Sequence, residues 1–354
     1  MSKALINKKN KENISKKILN IFKKKGFNFT DLDIVIDTDL LAQRSGEAFK
    51  KYALNFKDKS GKEISLRPDL TIATAIQYIQ SKKRGTKKLS YFGSAFRLNK
   101  NGDLKVFDQI GCEIINSKSS PEYLILSTIL SVFQKLKKTE IVLNDLGLFQ
   151  SVVNSLNLPQ RWKLRLIRHY SRKEYFAELL KRLETNDDLD NKKIKIDYDR
   201  LTDLKKMDIK RVIGGRTVGE IIQRFEKKIK DPRDNFKGSQ SAKVIRNFLK
   251  LRSPLSESID MINHFIKKNN LKIKDLSKFL LKFNNINKKF GSKQVIKFDA
   301  KFGRETQYYT GIALAIYNQK KELARGGEYN NLIKTLGGKQ TSAFGAAINL
   351  NELK

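Results

Sequence analysis

Hydrophobic and polar residues alternate with a period of two along four stretches of the chain, which predicts two antiparallel hairpins. Residues 52–56 and 63–67 flank a polar loop in the first hairpin, and residues 88–98 and 104–115 flank an Asn-Gly turn in the second. Further β-favouring runs predict three more strands, at residues 140–143, 295–298 and 312–317.

Apolar residues spaced three and four positions apart predict the helices around these strands. In residues 11–25, Ile14, Ile18 and Phe22 share one face, and Gly26 follows as a stop signal. Asp69 stands where it can cap a helix that begins after Pro68. A third helix is predicted to open at Pro121, since proline is favoured at the first helical position.

The character of the chain changes between residues 147 and 284, where β-alternation fades and helical runs carry charge-rich faces. We interpret this region as a helical insertion, with a loop predicted at residues 227–241. It divides a core into a first part, residues 1–146, and a second part, residues 285–354.

The stretch from Phe302 to Gly311 carries the most distinctive side-chain chemistry. Arg304 and the adjacent Tyr308 and Tyr309 lie there between two predicted strands. Arginine offers a planar fork for a carboxylate or phosphate, and tyrosine combines an apolar ring with a polar tip. Taken alone, the stretch fits a structural hairpin as well as a ligand-binding loop.

This stretch resembles the histidine-binding loop of histidyl-tRNA synthetases, and three further segments match that family in the same order. They are residues 65–71 (SLRPDLT), residues 91–97 with the return strand 107–113 (class II motif 2), and residues 325–329 with 344–350 (motif 3). The run Arg44 to Glu47 resembles the R-S-G-E element of the same family. The ordered set is specific, whereas any single match would be weak.

The resemblance implies an α+β fold, with a class II aminoacyl-tRNA synthetase-like antiparallel sheet that is flanked by helices and interrupted by the helical insertion. It also implies roles for individual residues. Asp69 and Thr71 would receive the α-amino group of histidine. Glu113 and a tyrosine of the pair Tyr308–Tyr309 would hold the imidazole, while Gln109 and Arg304 would hold the carboxylate end.

The residues alone leave plainer alternatives open. Asp69 also fits a helix cap without any ligand. Gln109 and Glu113 also fit two polar residues on a solvated strand face, since strand residues an even number apart share a face.

Three features depart from the synthetase pattern and resemble a paralogue, the regulatory subunit of ATP phosphoribosyltransferase. Glu352 stands where motif 3 of the synthetases has the arginine that grips ATP, and a carboxylate there would repel the triphosphate. Asp69 replaces the glutamate of the L-R-P-E-x-T element. The chain stops at Lys354, where the resemblance implies that no anticodon-binding domain follows. Arg97, at the position of the arginine for the ATP α-phosphate, would then belong to a degenerate nucleotide site.

The paralogue implies a regulatory chain with no catalysis and no cofactor of its own. It would form a homodimer within a hetero-oligomer that contains the short catalytic subunit of ATP phosphoribosyltransferase, which joins ATP to phosphoribosyl pyrophosphate in the first step of histidine biosynthesis. Histidine would be the effector of feedback inhibition. Two other functions stay open: a truncated histidyl-tRNA synthetase-like enzyme that activates histidine, and an RNA-binding pseudo-synthetase.

Composition adds few constraints. The 354 residues are 39% hydrophobic and 31% charged, as in globular proteins. No run approaches the roughly 20 apolar residues of a membrane span, and we predict a cytoplasmic protein. Cys112 is the single cysteine, which excludes an internal disulfide, and His169 and His264 lack metal-ligand spacing. The net charge of +36 is spread along the chain, which favours a basic surface that meets an acidic partner over a nucleic-acid site.

Overall fold

The computed structural model describes residues 3–38, 53–81, 85–99, 101–136, 139–185, 191–213, 216–229 and 235–353. The predicted Arg44–Glu47 element lies outside these residues. In the described part of the chain, no helix combines the length and the apolar character that crossing a bilayer requires.

A nine-stranded sheet lies in the first of two compact units, which comprises Met1–Leu148, Arg252–Met261 and Ser277–Lys354. From edge to edge the strands are β1 (Asn28–Phe29), β5 (Lys87–Leu98), β6 (Leu104–Ile115), β14 (Ala343–Asn349), β13 (Lys321–Glu328), β12 (Ile312–Asn318), β7 (Thr139–Asp145), β11 (Val295–Asp299) and β10 (Arg252–Pro254). Neighbouring strands in this order are antiparallel except for the pairs β1–β5 and β7–β11, which are parallel.

A three-stranded sheet in the same unit contains the first predicted hairpin. It consists of β2 (Val35–Asp37), β4 (Glu63–Leu66) and β3 (Asn55–Lys57), all antiparallel. The helices that lie wholly or largely in this unit are α1 (Lys3–Lys24), α2 (Leu70–Gln80), α3 (Pro121–Val132), α11 (Leu276–Phe290) and α12 (Leu332–Thr335). The predicted α+β class, an antiparallel sheet flanked by helices, is confirmed, and two parallel strand pairs are added to it.

The long hairpin of β5 and β6 follows the sequence prediction to within one residue, because its two alternating runs join at a tight turn. Asn99 stabilises that turn by accepting the amide hydrogens of Asn101 and Asp103, both at 2.9 Å. The turn fixes the register of β5 against β6, in which Glu113 faces Leu89. On its other side, β6 pairs with β14, where Glu113 faces Gly345. The candidate site therefore lies on interior strands of the sheet.

Arg67 connects the small sheet to β5. Its side chain is buried, and its Nε donates a 2.8 Å hydrogen bond to the carbonyl oxygen of Ser94. Its Nη1 donates to the carbonyl oxygens of Leu32 and Asp33. Since Pro68 and Asp69 follow at once, Arg67 also fixes where α2 begins.

The second compact unit, Phe149–Leu251 with Ile262–Leu276, is mainly helical. Its core includes Phe149, which stacks on Tyr170 with ring centroids 3.7 Å apart and meets Phe176 edge to face. Its elements, two of which extend into the first unit, are α4 (Leu146–Ser155), α5 (Gln160–Arg168), α6 (Lys173–Thr185), α7 (Asn191–Lys205), β8 (Val212–Ile213), β9 (Arg216–Thr217), α8 (Val218–Ile229), α9 (Asn235–Phe248) and α10 (Leu255–Lys268).

The loop predicted at residues 227–241 is wrong wherever the structure describes these residues, because the ends of α8 and α9 occupy them. Pro232, Gly238 and the two serines of this segment are turn-favouring residues, which made it resemble a loop. The assignment of residues 147–284 as a single insertion stays a prediction.

We expect Arg67→Met to lower the free energy of unfolding by roughly 3 kcal/mol, because buried carbonyl oxygens lose their donors. Arg252→Met is the control in the same unit, where an exposed arginine lies 3.8 Å from Asp299; its loss should cost less than about 1 kcal/mol. Urea unfolding measures both, and equal effects of the two substitutions would contradict the buried-anchor role.

Candidate functional site

Glu113 is a fully buried carboxylate on an interior strand of the large sheet, and three hydroxyl groups donate hydrogen bonds to it. Thr71 Oγ1 of α2 and the Tyr91 hydroxyl of β5 each lie 2.9 Å from Oε1. The Tyr329 hydroxyl, just after β13, lies 2.7 Å from Oε2. A carboxylate offers about four lone-pair positions, so Glu113 retains one for a further donor.

Two glycines make room for this arrangement. A Cβ on Gly345 would overlap the Glu113 carboxylate from the facing strand, and a Cβ on Gly111 would overlap the Tyr91 hydroxyl. Tyr91 therefore crosses over Gly111 to reach Glu113. Both glycines are needed for space beside the site.

Burial raises the pKa of Glu113 to about 7, because the charged form loses its hydration, while the hydroxyls of Tyr329, Thr71 and Tyr91 act in the opposite direction. Burial also raises the pKa of Tyr91 and Tyr329, and the neighbouring carboxylate adds to this effect. The phenols consequently stay protonated and act as donors.

Asp69 is a second carboxylate that several segments share. Its Oδ1 accepts the backbone amides of Thr71 and Ile72, at 2.7 and 3.3 Å, so the predicted helix cap is present. Its Oδ2 accepts the Tyr308 hydroxyl at 3.0 Å and Arg97 Nη2 at 3.2 Å. Capping uses one oxygen, and the other faces the tyrosine pair.

Arg97 makes several contacts with the chain, although its side chain stays 43% exposed. Its Nε donates a 2.7 Å hydrogen bond to the Pro68 carbonyl, and its guanidinium lies 5.0 Å from the centre of the Phe107 ring. Glu352, in a short 3-10 helix (Leu350–Glu352) after β14, lies 3.9 Å from the Lys321 ammonium. The arginine assigned to a degenerate nucleotide site is thus paired with Asp69.

Tyr308 and Tyr309 meet edge to face with ring centroids 5.2 Å apart, and Tyr308 meets Tyr329 in the same manner at 6.1 Å. Both tyrosines of the pair are half-buried, as is Gln109, which shares a strand face with Glu113. The Gln109 side chain makes no hydrogen bond to any residue that the structure describes. Arg304 is buried in the same loop as the tyrosine pair.

The structure therefore joins Asp69, Thr71, Glu113, Tyr308 and Arg97 through direct hydrogen bonds, and places Tyr309 against Tyr308. Gln109 lies on the same strand face as Glu113, and Arg304 is buried in the loop that carries the tyrosine pair. The roles of these residues towards a ligand stay predictions.

Sequence reasoning did not assign a role to Tyr91 or Tyr329, although both stand inside matched motifs. Tyr91 faces Gly111 across the β5–β6 hairpin and Tyr329 follows β13, so both come close to Glu113 only in the folded sheet. That proximity depends on strand register, which a linear motif does not reveal.

We expect Glu113→Gln to change how stability depends on pH. A carboxyl group whose pKa rises from 4.5 to about 7 on folding stabilises the fold below pH 4.5 and loses this contribution as pH rises through 7. Relative to wild type, the variant should therefore gain up to about 3 kcal/mol between pH 5 and pH 8. Urea unfolding across this range measures it, with Glu257→Gln as a surface control, and a constant difference would contradict the raised pKa.

Comparisons with known proteins identify relatives of two kinds. The chain is 25% identical to an ATP phosphoribosyltransferase regulatory subunit of Mesorhizobium japonicum over 92% of both chains. It is 28% identical to a histidine–tRNA ligase of Saccharolobus islandicus, over 92% of this chain and 66% of the ligase.

Among solved structures, one that resembles the chain is the ATP phosphoribosyl transferase (HisG:HisZ) complex from Thermotoga maritima, with a TM-score of 0.56 and 16% identity over 96% of this chain and 97% of that one. This likeness shows the fold. The family model described as histidyl-tRNA synthetase matches residues 6–210 and 224–353, and the chain therefore belongs to the histidyl-tRNA synthetase family.

Proposed function

We propose that this chain is the non-catalytic regulatory subunit of an ATP phosphoribosyltransferase and that it binds histidine as the effector of that enzyme. The match to a regulatory subunit over 92% of both lengths supports the first half of the proposal. The buried Glu113 with its three hydroxyl donors is the observation that supports the second half.

The geometry around Glu113 suits an imidazole ring. Its remaining lone pair can accept a ring N–H, and a charged imidazolium would neutralise a carboxylate that burial makes costly. The surrounding tyrosine rings provide flat apolar surface for the ring faces. Gln109, Tyr308 and Tyr309 are half-buried, so the site meets solvent along the tyrosine loop.

Asp69 supplies the acceptor for the α-amino group of the proposed ligand. Its Oδ2 lies within hydrogen-bond distance of Arg97 and Tyr308, so an incoming ammonium would share this oxygen with them. We propose Thr71 as a neighbour of that group, with Gln109 and Arg304 at the carboxylate end.

Two features support a regulatory role over adenylate chemistry. Arg97 is bound to Asp69 and Pro68, so an ATP phosphate would have to displace these contacts to engage it. Glu352 presents an anion at the position where motif 3 of the synthetases supplies a cation, and like charges repel at short range. We propose that the nucleotide site has degenerated and that ATP is handled by the partner.

The proposed partner is a catalytic subunit, as in the complex whose fold this chain shares. The basic composition suits a partner with an acidic surface. We also propose a homodimer within this assembly, for which the exposed apolar side chains of Phe29, Ile34, Val35 and Phe56 offer surface on and beside β1, β2 and β3. The biosynthetic role would place the assembly in the cytoplasm.

A reconstituted assay tests the proposal. A short catalytic subunit should form phosphoribosyl-ATP faster when this chain is added, and histidine should inhibit the mixture. Glu113→Gln should raise the half-inhibitory histidine concentration by about tenfold, when each protein is normalised to its own uninhibited rate, since one charge-assisted hydrogen bond is lost. If the chain neither activates the catalytic subunit nor makes it sensitive to histidine, the regulatory role is overturned.

Activation of histidine is the second candidate, because a relative at 28% identity is a histidine–tRNA ligase. Histidine-dependent exchange of pyrophosphate into ATP distinguishes the two functions. Exchange by the isolated chain would favour the ligase-like reading, and its absence together with stimulation of the catalytic subunit would favour the regulatory one.

A further inference from the structure

Lys282 of α11 lies between two carboxylates at one end of the large sheet. Its Nζ is 3.2 Å from Glu328 Oε2 and 3.7 Å from Asp145 Oδ2. Asp145 is almost fully buried at the end of β7, and Glu328 ends β13. Glu122, on α3, is also buried and interacts electrostatically with Lys282.

The cluster depends on its lysine. Asp145 Oδ1 accepts the Gly147 amide at 2.9 Å, whereas its Oδ2 has no hydrogen-bond donor among the described residues. Burial raises the pKa of Asp145 to about 6, and the nearby Lys282 opposes this effect. Without the lysine, buried carboxylates would face one another with no compensating charge, which is strongly unfavourable.

Glu328 transmits the position of this cluster to the tyrosine loop. Its carbonyl oxygen accepts the Thr310 amide at 2.7 Å, and its carboxylate lies so close to Gly311 that a Cβ there would overlap it. Asn330 donates to the same carboxylate through its side chain, and its backbone amide donates to Thr310 Oγ1 at 3.1 Å. Thr310 and Gly311 directly follow Tyr308 and Tyr309.

We infer that Lys282 is a positioning residue, which holds Glu328 against Thr310 and Gly311 and thereby sets the conformation of the Tyr308–Tyr309 loop at the candidate site. The contacts form one continuous path, from the α11 ammonium to the Glu328 carboxylate and from the Glu328 strand end to the loop. Leu146 fixes the far side of the loop, since its amide donates a 3.0 Å hydrogen bond to the Gly311 carbonyl.

Hydrogen–deuterium exchange of the free chain tests this role without any ligand. In Lys282→Met, the Thr310 and Leu146 amides should exchange about tenfold faster than in wild type, because repulsion displaces Glu328 from the loop. Amides in the β5–β6 hairpin should exchange at the wild-type rate. Lys288→Met, at an exposed position of the same helix, is the matched control and should change neither region.

Two rescue variants separate positioning from general destabilisation. Lys282→Arg keeps the cation and should restore slow exchange. In the double variant Lys282→Met/Glu328→Gln, removal of the repelling charge should restore part of the protection. If Lys282→Met fails to fold, Glu328→Gln alone decides, and it should speed Thr310 exchange at least about threefold because its bond to Lys282 is weakened.

If the Thr310 amide exchanges at the wild-type rate in Lys282→Met, the inference is overturned. If Lys282→Met does not fold, the same result in Glu328→Gln overturns it. Faster exchange spread over the whole sheet, without rescue by the double variant, would also overturn it.

A second readout rests on the proposed function. Calorimetry with histidine should give about a tenfold higher Kd for Lys282→Met than for wild type, with recovery in Lys282→Arg. If wild type binds no histidine, the proposed function fails, while the exchange measurement still decides the role of Lys282. If wild type binds and Lys282→Met binds equally well, the loop position does not govern this site and the inference fails.

Discussion

The burial of one carboxylate, Glu113, is the constraint on which the rest of the site depends. A charge in the middle of a sheet is costly unless donors surround it. Here the donors come from α2, β5 and the segment after β13, which are far apart in sequence. These segments must converge on Glu113, and Gly111 and Gly345 must stay small for this to happen. The same requirement leaves one lone pair of a strong acceptor unused.

The second carboxylate, Asp69, shows how the fold reuses a structural group. Its capping oxygen begins α2, which brings Thr71 to Glu113, and its other oxygen joins Arg97 to Tyr308. On the opposite side, Lys282 and Glu328 hold the segment that follows the tyrosine pair. The tyrosine loop is thus held by the Tyr308 hydrogen bond to the Asp69 carboxylate and by backbone hydrogen bonds of Thr310 and Gly311 to Glu328 and Leu146. An arrangement of this kind can couple occupancy of the site to the surrounding strands, which suits a regulatory chain.

The sequence was informative where a local rule acts. The long hairpin was predicted almost to the residue, because its alternation and its turn are local, and the Asp69 cap followed from its place after Pro68. Contacts that depend on sheet order were not predictable. Tyr91 and Tyr329 reach Glu113 across strand neighbours, and Lys282 meets Glu328 over a separation of 46 residues. The assignment of Arg97 to a degenerate nucleotide site came from the family pattern and stays a prediction, whereas its bond to Asp69 became visible only in the structure.

Calorimetric titration with histidine at pH 8, in two buffers of different ionisation enthalpy, tests most directly whether Glu113 receives the imidazole. Free imidazole, with a pKa of about 6.5, and free Glu113, at about 7, hold few protons at this pH. Because a buried carboxylate favours a compensating charge, the bound pair of imidazole and Glu113 carboxylate should take up one proton. The account predicts uptake approaching one proton per histidine in wild type and almost none in Glu113→Gln. Histidine binding without proton uptake, or with equal uptake in both proteins, would contradict it.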